Sequence, residues 1–243
     1  MGKTSGRWQR NARPRVEVKV GRRGRALEID GTFASWYQPG LPITGSVWDA
    51  LAAPLLALPP TRRRDVLVLG LGGGSVARVV RALAPDARIV GVEMNREVLI
   101  AARRWLELDE LDVEVVQADA RVYLQRARRR YDLVIEDLFI GRGRAVRKPD
   151  WLPEPGLEWI RRRLAPRGLL VSNTIDEAAP MAAALGRRFR GLISIEVEDY
   201  DNRVLVAGGA RLSPRGLRAA LGADPILGAT LPRLRLRTLP VRG

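Results

Sequence analysis

Apolar and polar positions alternate in short stretches near the N-terminus and change to a repeating strand–helix pattern after residue 64. The segment RVEVKVGRRGRALEIDG, 15–31, predicts a β-hairpin, and VWDALAAPLLALPP, 47–60, predicts a helix that ends at prolines. The intervening segment, 32–46, is rich in turn formers. From Asp65 onward, apolar runs alternate with segments of helical periodicity, which predicts a mostly parallel sheet with helices on both faces.

Five strands and five helices are predicted in this repeating part. The strands are DVLVLG, ARIVGVE, VEVVQAD, YDLVIEDL and GLLVSN, and the helices are SVARVVRALA, REVLIAARRWLEL, RVYLQRARR, GLEWIRRRLA and EAAPMAAALGRRF. The segment LISIEVEDYDNRVLVAGG, 192–209, then predicts two strands joined at a tight Asp-Asn turn. An antiparallel hairpin therefore closes the sheet.

The same pattern divides the chain into four parts. We predict a disordered tail at 1–14, a small N-terminal β region plus helix at 15–60, a Rossmann-like domain at 61–211, and a C-terminal helix and tail at 212–243. The prediction of an α/β fold with a small β region before it depends on this division.

Composition excludes several kinds of chemistry. The chain has no cysteine and no histidine, so disulfides, thiolate nucleophiles, Ser-His-Asp triads and zinc sites are ruled out, and we predict no metal. Proton transfer must then use carboxylates, tyrosine, lysine or water. No stretch approaches the ~20 apolar residues of a membrane span, and the basic N-terminus lacks an apolar secretory region. We expect a cytoplasmic protein without a membrane partner.

Charge raises a second kind of partner. Lysine and arginine number 42 against 27 acidic residues, a net charge of +15, which is typical of nucleic-acid binders. However, all but three of these cations are arginines, and they occur in scattered short runs at the ends of helices. This distribution favours compositional bias and helix-dipole contacts, so nucleic acid is the less favoured partner.

The glycine cluster in DVLVLGLGGGSVARVV, 65–80, follows a strand and opens a helix, as in nucleotide-binding loops. With Gly72, Gly74 and Ala77 as its fixed positions, the loop fits the dinucleotide fingerprint. With Gly70, Gly72 and Gly74, it fits the loop beneath the methionine part of S-adenosylmethionine. Glycines required only for close helix–strand packing are a third interpretation.

Both ligand interpretations need a carboxylate at the end of the second strand to accept hydrogen bonds from a ribose. Glu93, followed by Met94, stands there, and Ser75 opens the helix after the loop. The loop and this carboxylate therefore do not distinguish a dinucleotide from S-adenosylmethionine.

Two later acids favour S-adenosylmethionine. Asp119, at the end of the third strand and before Ala120, is placed to accept from an adenine amino group, or to cap the following helix, or both. Asp137, at the end of the fourth strand, is placed near a reacting group, or on the solvated rim. Acids at three successive strand ends, with the closing hairpin, are typical of the class I methyltransferase sheet rather than of a dinucleotide fold.

At these residues the chain resembles the spermidine synthases and their methyltransferase-fold relatives, over roughly residues 25–210. LEIDG, 27–31, is similar to that family's L-x-L-D-G strand. The resemblance implies that Glu93 binds the ribose, that Asp119 with Ala120 contacts the adenine, and that Asp137 deprotonates the attacking amine. It also implies a homodimer.

The resemblance extends to the acceptor side. Trp48 and Asp49 occupy the place of the family's substrate-channel residues, and the segment 141–156, which holds Trp151, occupies the place of its mobile gate loop. We expect Trp48, Asp49 and Trp151 to shape the acceptor pocket.

Two departures from the family concern its polyamine-binding acids. Gly73 stands where the family's G-G-G-D-G-G motif has the aspartate that holds the aminopropyl group, and Ile140 stands where its D-[ST]-x-D-P motif has a second acid. A dication without paired acids is costly to desolvate. We therefore predict a methyltransferase that uses S-adenosylmethionine and an unidentified small-molecule acceptor. The alternatives are an aminopropyltransferase that uses the decarboxylated cofactor, a non-catalytic cofactor-binding protein and, least favoured, a dinucleotide oxidoreductase.

Overall fold

Two β-sheets organise the chain in the computed structural model, which describes residues 14–242. The predicted tail, 1–14, thus lies almost wholly outside the described residues. The first sheet is antiparallel and contains β1 (Val16–Val20), β2 (Arg25–Ile29) and β3 (Thr32–Tyr37). Turn-forming residues dominate only after β3, so the prediction of turns across 32–46 was wrong at its start. TFASWY has the β-branched and aromatic residues that pack well in a strand.

The second sheet has eight strands. They are β4 (Asp65–Leu69), β5 (Arg88–Glu93), β6 (Val113–Gln117), β7 (Tyr131–Glu136), β8 (Leu164–Thr174), β9 (Gly191–Val197), β10 (Arg203–Gly208) and β11 (Leu234–Thr238). Their order is β11-β9-β10-β8-β7-β4-β5-β6, in which β6, β5, β4, β7 and β8 are parallel and β10, β9 and β11 are antiparallel. The predicted closing hairpin is confirmed. The edge strand β11 was missed, although LRLRT alternates as a strand does.

Seven α-helices connect these strands. They are α1 (Val47–Ala52), α2 (Ser75–Leu83), α3 (Arg96–Trp105), α4 (Ala120–Arg126), α5 (Gly156–Arg163), α6 (Ala178–Gly186) and α7 (Pro214–Gly222). Short 3₁₀ helices lie at Ala53–Ala57, Pro60–Arg62, Asp109–Leu111, Gly143–Ala145 and Gly228–Arg233. The predicted helix at 47–60 is α-helical only over its first six residues, because Pro54 lacks the N–H that an α-helix requires.

The core has one apolar layer on each face of the large sheet. Helices α1, α2 and α7 cover one face, with Leu51, Val80 and Leu221 among the buried residues, and α4, α5 and α6 cover the other. Strand β4 lies at the centre and is buried from Val66 to Leu69. Full burial of each such side chain stabilises the fold by about 1.5–3 kcal/mol.

The small sheet packs on α3, where Leu27 and Tyr37 meet Val98 and Leu106. Strand β3 thereby passes over the glycine loop between β4 and α2. Among residues 14–242, no helix has the length and apolar character needed to cross a bilayer.

Candidate functional site

A cavity of about 530 Å³ opens where β4, β5 and β7 end. It lies at the point where the chain order of the sheet reverses between β4 and β7, which is where ligands bind in open α/β sheets. Its wall also includes β3, α1 and the tip of the β9–β10 hairpin. The volume is within the range of small-molecule sites.

Two of the predicted glycines line this cavity. Gly70 and Gly72 do so, whereas Gly74 is the N-cap of α2 and faces Leu108 and Leu111. Gly70 has φ +83°, and an added Cβ there would collide with the carbonyl oxygen of Asp137. Glycine at position 70 is therefore needed for the close approach of the β7 loop as well as for its left-handed backbone.

Packing also accounts for Gly73. Its N–H donates to Ser35 Oγ at 2.6 Å, and an added Cβ would lie 2.6 Å from Leu106 Cδ2 and 2.8 Å from Ser35 Cβ. Ser75, the first residue of α2, likewise binds β3 rather than the cavity. Its hydroxyl accepts from the Trp36 N–H and donates to the Trp36 carbonyl, both at 2.8 Å. The second half of the loop thus meets β3 and α3, so the packing interpretation holds for this half.

Glu93 faces the cavity from the end of β5. Its two carboxylate oxygens accept from the N–H of Gly72 at 3.0 Å and of Asn95 at 2.9 Å. Burial raises the pKa of Glu93 above its usual value, and these hydrogen bonds oppose the increase. A carboxylate held in this way keeps lone pairs for further donors.

An apolar surface lies beside Glu93. Met94, which is 65% exposed, lines the cavity with Ala118 and Ala120. Asp119 is exposed and does not line the cavity, and its carboxylate caps α4 by accepting from the Arg121 N–H at 2.7 Å. The structure thus shows the capping role of Asp119.

Asp137 is held by two neutral donors at the cavity wall. Its Oδ1 accepts from Asn173 Nδ2 at 2.7 Å, and its Oδ2 accepts from Trp48 Nε1 at 3.2 Å. Burial raises the pKa of Asp137, and Glu136 raises it further, while the hydrogen bond from Asn173 and the charge of Lys148 lower it. The carboxyl group is therefore fixed in direction and poised to exchange a proton at a pH above that of an ordinary aspartate.

Only one of the three predicted acceptor-pocket residues lines the cavity. Trp48 does, and it packs edge-on against Phe33 with ring centroids 5.1 Å apart. Asp49 points away, because its carboxylate accepts from the Thr44 N–H, the Thr44 hydroxyl and the Gly45 N–H. Trp151 packs against Trp159 and also lies outside the cavity lining.

The β9–β10 hairpin contributes cavity residues that were not among the predicted site residues. Its tip places Asp199, Tyr200, Asp201 and Asn202 at the cavity, and Asn202 Nδ2 donates to Asn173 Oδ1 at 3.0 Å. The acidic run EVEDYDN, 196–202, was the available signal, but its charge is equally typical of a solvated hairpin tip.

The segment after β7 closes the cavity against the small sheet. A β-bridge joins Ile140 to Arg147, and the tip between them meets the β2–β3 turn. There Arg142 Nε lies 2.8 Å from Asp30 Oδ2, and the Gly143 N–H donates to Thr32 Oγ1 at 3.3 Å. Ile140 itself does not line the cavity.

Comparison with known proteins gives a family match and a curated relative. A family described as "Methyltransferase domain" matches residues 66–168. The chain is 35% identical over 113 residues to the polyamine aminopropyltransferase of Chromobacterium violaceum, which is 45% of this chain and 42% of that protein. The chain thus spans less than half the length of this relative.

Solved structures extend the similarity to nearly the whole chain. A probable spermidine synthase from Corynebacterium glutamicum superposes with a TM-score of 0.73 at 20% identity and covers 93% of this chain and 88% of its own. Human methyltransferase-like protein 13 in complex with SAH has a TM-score of 0.59 at 22% identity, with coverage of 78% and 91%. These superpositions confirm the predicted fold class.

Proposed function

Because the chain has the spermidine synthase-like class I methyltransferase fold, we propose that it transfers the methyl group of S-adenosylmethionine to a small basic amine. The observation that carries this proposal is the convergence of Gly72, Glu93 and Asp137 on one cavity at the end of the parallel strands.

The lining fits an adenosyl group. The carboxylate of Glu93 would accept hydrogen bonds from the ribose hydroxyls, and the surface of Met94, Ala118 and Ala120 would pack on the adenine. Gly72 would let the backbone lie against the cofactor. When bound, S-adenosylmethionine supplies an electrophilic methyl group on a sulfonium centre. Asp119 would contribute indirectly, because its carboxylate caps α4 and so helps to fix the position of that helix.

Asp137 would orient the acceptor and take its proton. Asn173 and Trp48 hold both carboxylate oxygens in place, so the group is already directed toward the cavity before any ligand arrives. Its raised pKa brings it closer to that of a proton acceptor suited to neutral pH than an exposed aspartate would be.

The charge of the lining supports a basic acceptor. Four carboxylates line the cavity, from Glu93, Asp137, Asp199 and Asp201, and no lysine or arginine of the described chain is among the lining residues. This contrasts with the net charge of +15 for the whole chain. A cation gains from such a wall, and the aromatic faces of Trp48 and Tyr200 suit it further.

The surroundings of Gly73 favour methyl transfer over aminopropyl transfer. Ser35 and Leu106 fill the space into which a side chain there would project, and Ile140 lies outside the lining. Aminopropyl transfer is the second candidate, which the similarity to the Chromobacterium violaceum aminopropyltransferase favours. The hairpin acids Asp199 and Asp201 would then replace the missing family acids. Binding without transfer is the third.

Calorimetry with S-adenosylmethionine, its decarboxylated form and NAD separates these candidates. We expect S-adenosylmethionine to bind at least as tightly as the decarboxylated form, and NAD not to bind. Mass spectrometry of a panel of amines incubated with either cofactor then distinguishes the gain of a methyl group from that of an aminopropyl group. A strong preference for the decarboxylated form would overturn methyl transfer, and binding without any product would favour a non-catalytic protein.

A further inference from the structure

A buried ion pair lies directly behind the candidate catalytic aspartate. Lys148 and Glu136 have side chains 2% and 1% exposed, and Lys148 Nζ lies 2.6 Å from Glu136 Oε1. The other carboxylate oxygen of Glu136 accepts from Ser172 Oγ of β8 at 2.5 Å. A buried pair of this kind is costly to desolvate and does not stabilise a fold by itself, so its presence calls for a different role.

Lys148 holds the segment that follows Asp137. Its Nζ donates to the carbonyl of Leu138 at 3.0 Å and lies 4.2 Å from the ring centroid of Phe139. Leu138 and Phe139 both line the cavity. The Lys148 N–H donates in turn to Glu177 Oε1 at 2.7 Å, which fixes the lysine to the start of α6. The Lys148 side chain thus joins the end of β7 to the cavity wall, and the backbone N–H of the same residue joins this segment to α6.

The identity of the residue supports a specific role. Lys148 is one of three lysines in a chain whose other 39 basic side chains, 42 minus 3, are arginine. A compact ammonium on a slender stem fits a closed pocket behind a carboxylate, whereas a planar guanidinium requires more room and more acceptors.

We propose that Lys148 is a positioning residue that fixes the segment after β7 and thereby sets the direction and charge of the Asp137 carboxylate. This inference rests on the proposed function only in giving Asp137 its catalytic role. The contacts behind Asp137 are present without any ligand.

Several charged groups act on Asp137. Glu136 precedes it on β7, Glu93 faces it from β5, and the hairpin acids Asp199 and Asp201 line the same cavity. Within residues 14–242, Lys148 is the cation whose charge lowers the pKa of Asp137, and the two hydrogen-bond donors to Asp137, Asn173 on β8 and Trp48 on α1, are neutral. Loss of the lysine charge therefore leaves Asp137 among acids alone and raises its pKa.

The test is a ¹³C-carboxylate NMR titration of Asp137 in the ligand-free protein, which does not require an active enzyme. We compare Lys148→Met with the double variant Glu136→Gln/Lys148→Met, and Lys19→Met, an exposed lysine of β1, is the control. The pKa of Asp137 should rise in Lys148→Met, rise less in the double variant because Glu136 also raises it, and stay unchanged in Lys19→Met. An unchanged pKa in a folded Lys148→Met protein overturns the proposal.

Hydrogen exchange gives a second readout, and it covers the case in which Lys148→Met fails to fold. The amides of Ile140 and Arg147 donate across the bridge at 2.8 and 2.9 Å, and they should exchange at least about tenfold faster in the double variant, while the amides of β4 keep their protection. Equal protection at Ile140 and Arg147 in the double variant and the unaltered protein would overturn the positioning role.

Once an acceptor is known, Lys148→Met should lower kcat more than it raises KM and move the acid limb of the rate profile to higher pH.

Discussion

At the scale of single residues, the candidate site depends on two carboxyl groups whose pKa values are raised by burial. Burial raises the pKa of both Glu93 and Asp137, while neutral donors hold each in one direction. An acid with a raised pKa opposes folding once it ionises, so these side chains cost stability at neutral pH. Such a cost is typical of functional sites.

Asp137→Asn should abolish transfer and remove the pH dependence that Asp137 gives to the stability of the fold. Because the folded state favours protonated Asp137, its stabilising contribution is complete below the unfolded-state pKa and is lost as the pH rises through the higher folded-state pKa. The amide offers one acceptor where the carboxylate offers two, and this loss has the same cost at every pH. Beyond that constant cost, we expect the variant to gain about 0.5–2 kcal/mol in the free energy of unfolding at neutral pH. The gain should disappear below about pH 4, measured by urea unfolding across pH.

The exposed Asp86→Asn is the matched control and should show no such pH-dependent gain. In an active preparation, the rate of transfer should fall as the pH is lowered through the folded-state pKa of Asp137. Because this pKa is raised, the fall should begin at a higher pH than it would with an ordinary aspartate. A variant that stays active, and whose difference in stability from the unaltered protein is the same at every pH, would contradict both roles.

Glu93→Gln should weaken cofactor binding without loss of fold. The amide can still accept from the Gly72 N–H but cannot offer two charged oxygens to a ribose, so we expect the Kd for S-adenosylmethionine to rise about tenfold or more in calorimetry. Glu97→Gln, an exposed acid in the first turn of α3, is the control. Unchanged affinity in Glu93→Gln would remove Glu93 from the site.

At the scale of elements, the glycine loop has two halves with different functions. Its first half, Gly70 and Gly72, lines the cavity, while Gly73 and Gly74 accept the close packing of β3 and of the helical segments around Leu106 and Leu108. The loop therefore connects the two sheets as well as forming part of the cavity wall.

Gly73→Asp tests this division. The side chain would displace Ser35 and Leu106, so we expect a loss of about 1–3 kcal/mol in the free energy of unfolding, and no gain in affinity for decarboxylated S-adenosylmethionine. Gly209→Asp, where an added Cβ meets no atom within 4 Å, should be nearly neutral in the same unfolding experiment. A stable Gly73→Asp protein that prefers the decarboxylated cofactor would show that the position is open to ligand.

Arginines join elements in a way that lysine cannot reproduce. Arg81 of α2 donates to four backbone carbonyls at 2.6–2.9 Å, those of Pro85, Ala87, Leu111 and Asp112. Arg81→Lys loses the fork that reaches them and should cost about 1–3 kcal/mol, measured by chemical unfolding. Arg96→Lys, at a side chain that is 70% exposed, is the control and should change stability little. Equal effects of the two variants would refute this role.

At the scale of the whole molecule, positive charge and negative charge are separated. Many arginines bind carbonyl groups between elements, whereas the cavity wall is acidic. The basic composition therefore supports the fold itself, in addition to giving the surface a positive potential.

The affinity for polyanions should accordingly be low and should depend strongly on the salt concentration. We expect a labelled DNA duplex to bind without sequence preference and to lose about a thousandfold or more in affinity between about 50 mM and about 200 mM salt in a fluorescence titration. RNA that stays with the purified protein through a high-salt wash would contradict this expectation and indicate a specific nucleic-acid partner.

Local patterns in the sequence predicted most of the large sheet. Runs such as DVLVLG and ARIVGVE became β4 and β5 because both faces of a parallel sheet are buried. The acids at the ends of β5 and β7 lie at one edge of the sheet because parallel strands end there. The strands β3 and β11 were missed, since their alternation is short and β3 runs into a turn-rich segment.

Contacts between residues that are distant in the sequence could not be predicted from such patterns. Trp48 and Asp137 are 89 residues apart and Ser35 and Gly73 are 38 apart, yet each pair is joined by a hydrogen bond. Asp49, expected at the acceptor, caps a turn instead. No local periodicity encodes which of several polar residues will meet, because that depends on how the layers pack.

The sequence by itself thus determined the order of strands and helices except β3 and β11, together with the glycine loop and the acids at the strand ends, because each follows from a local period or position. Only the tertiary structure decided that Gly73 faces β3, that the β9–β10 hairpin supplies Asp199 and Asp201 to the cavity, and that Lys148 lies buried behind Asp137. The physical reason is that burial and pairing are set by neighbours from other elements, and these meet only when the two sheets and their helices are packed together.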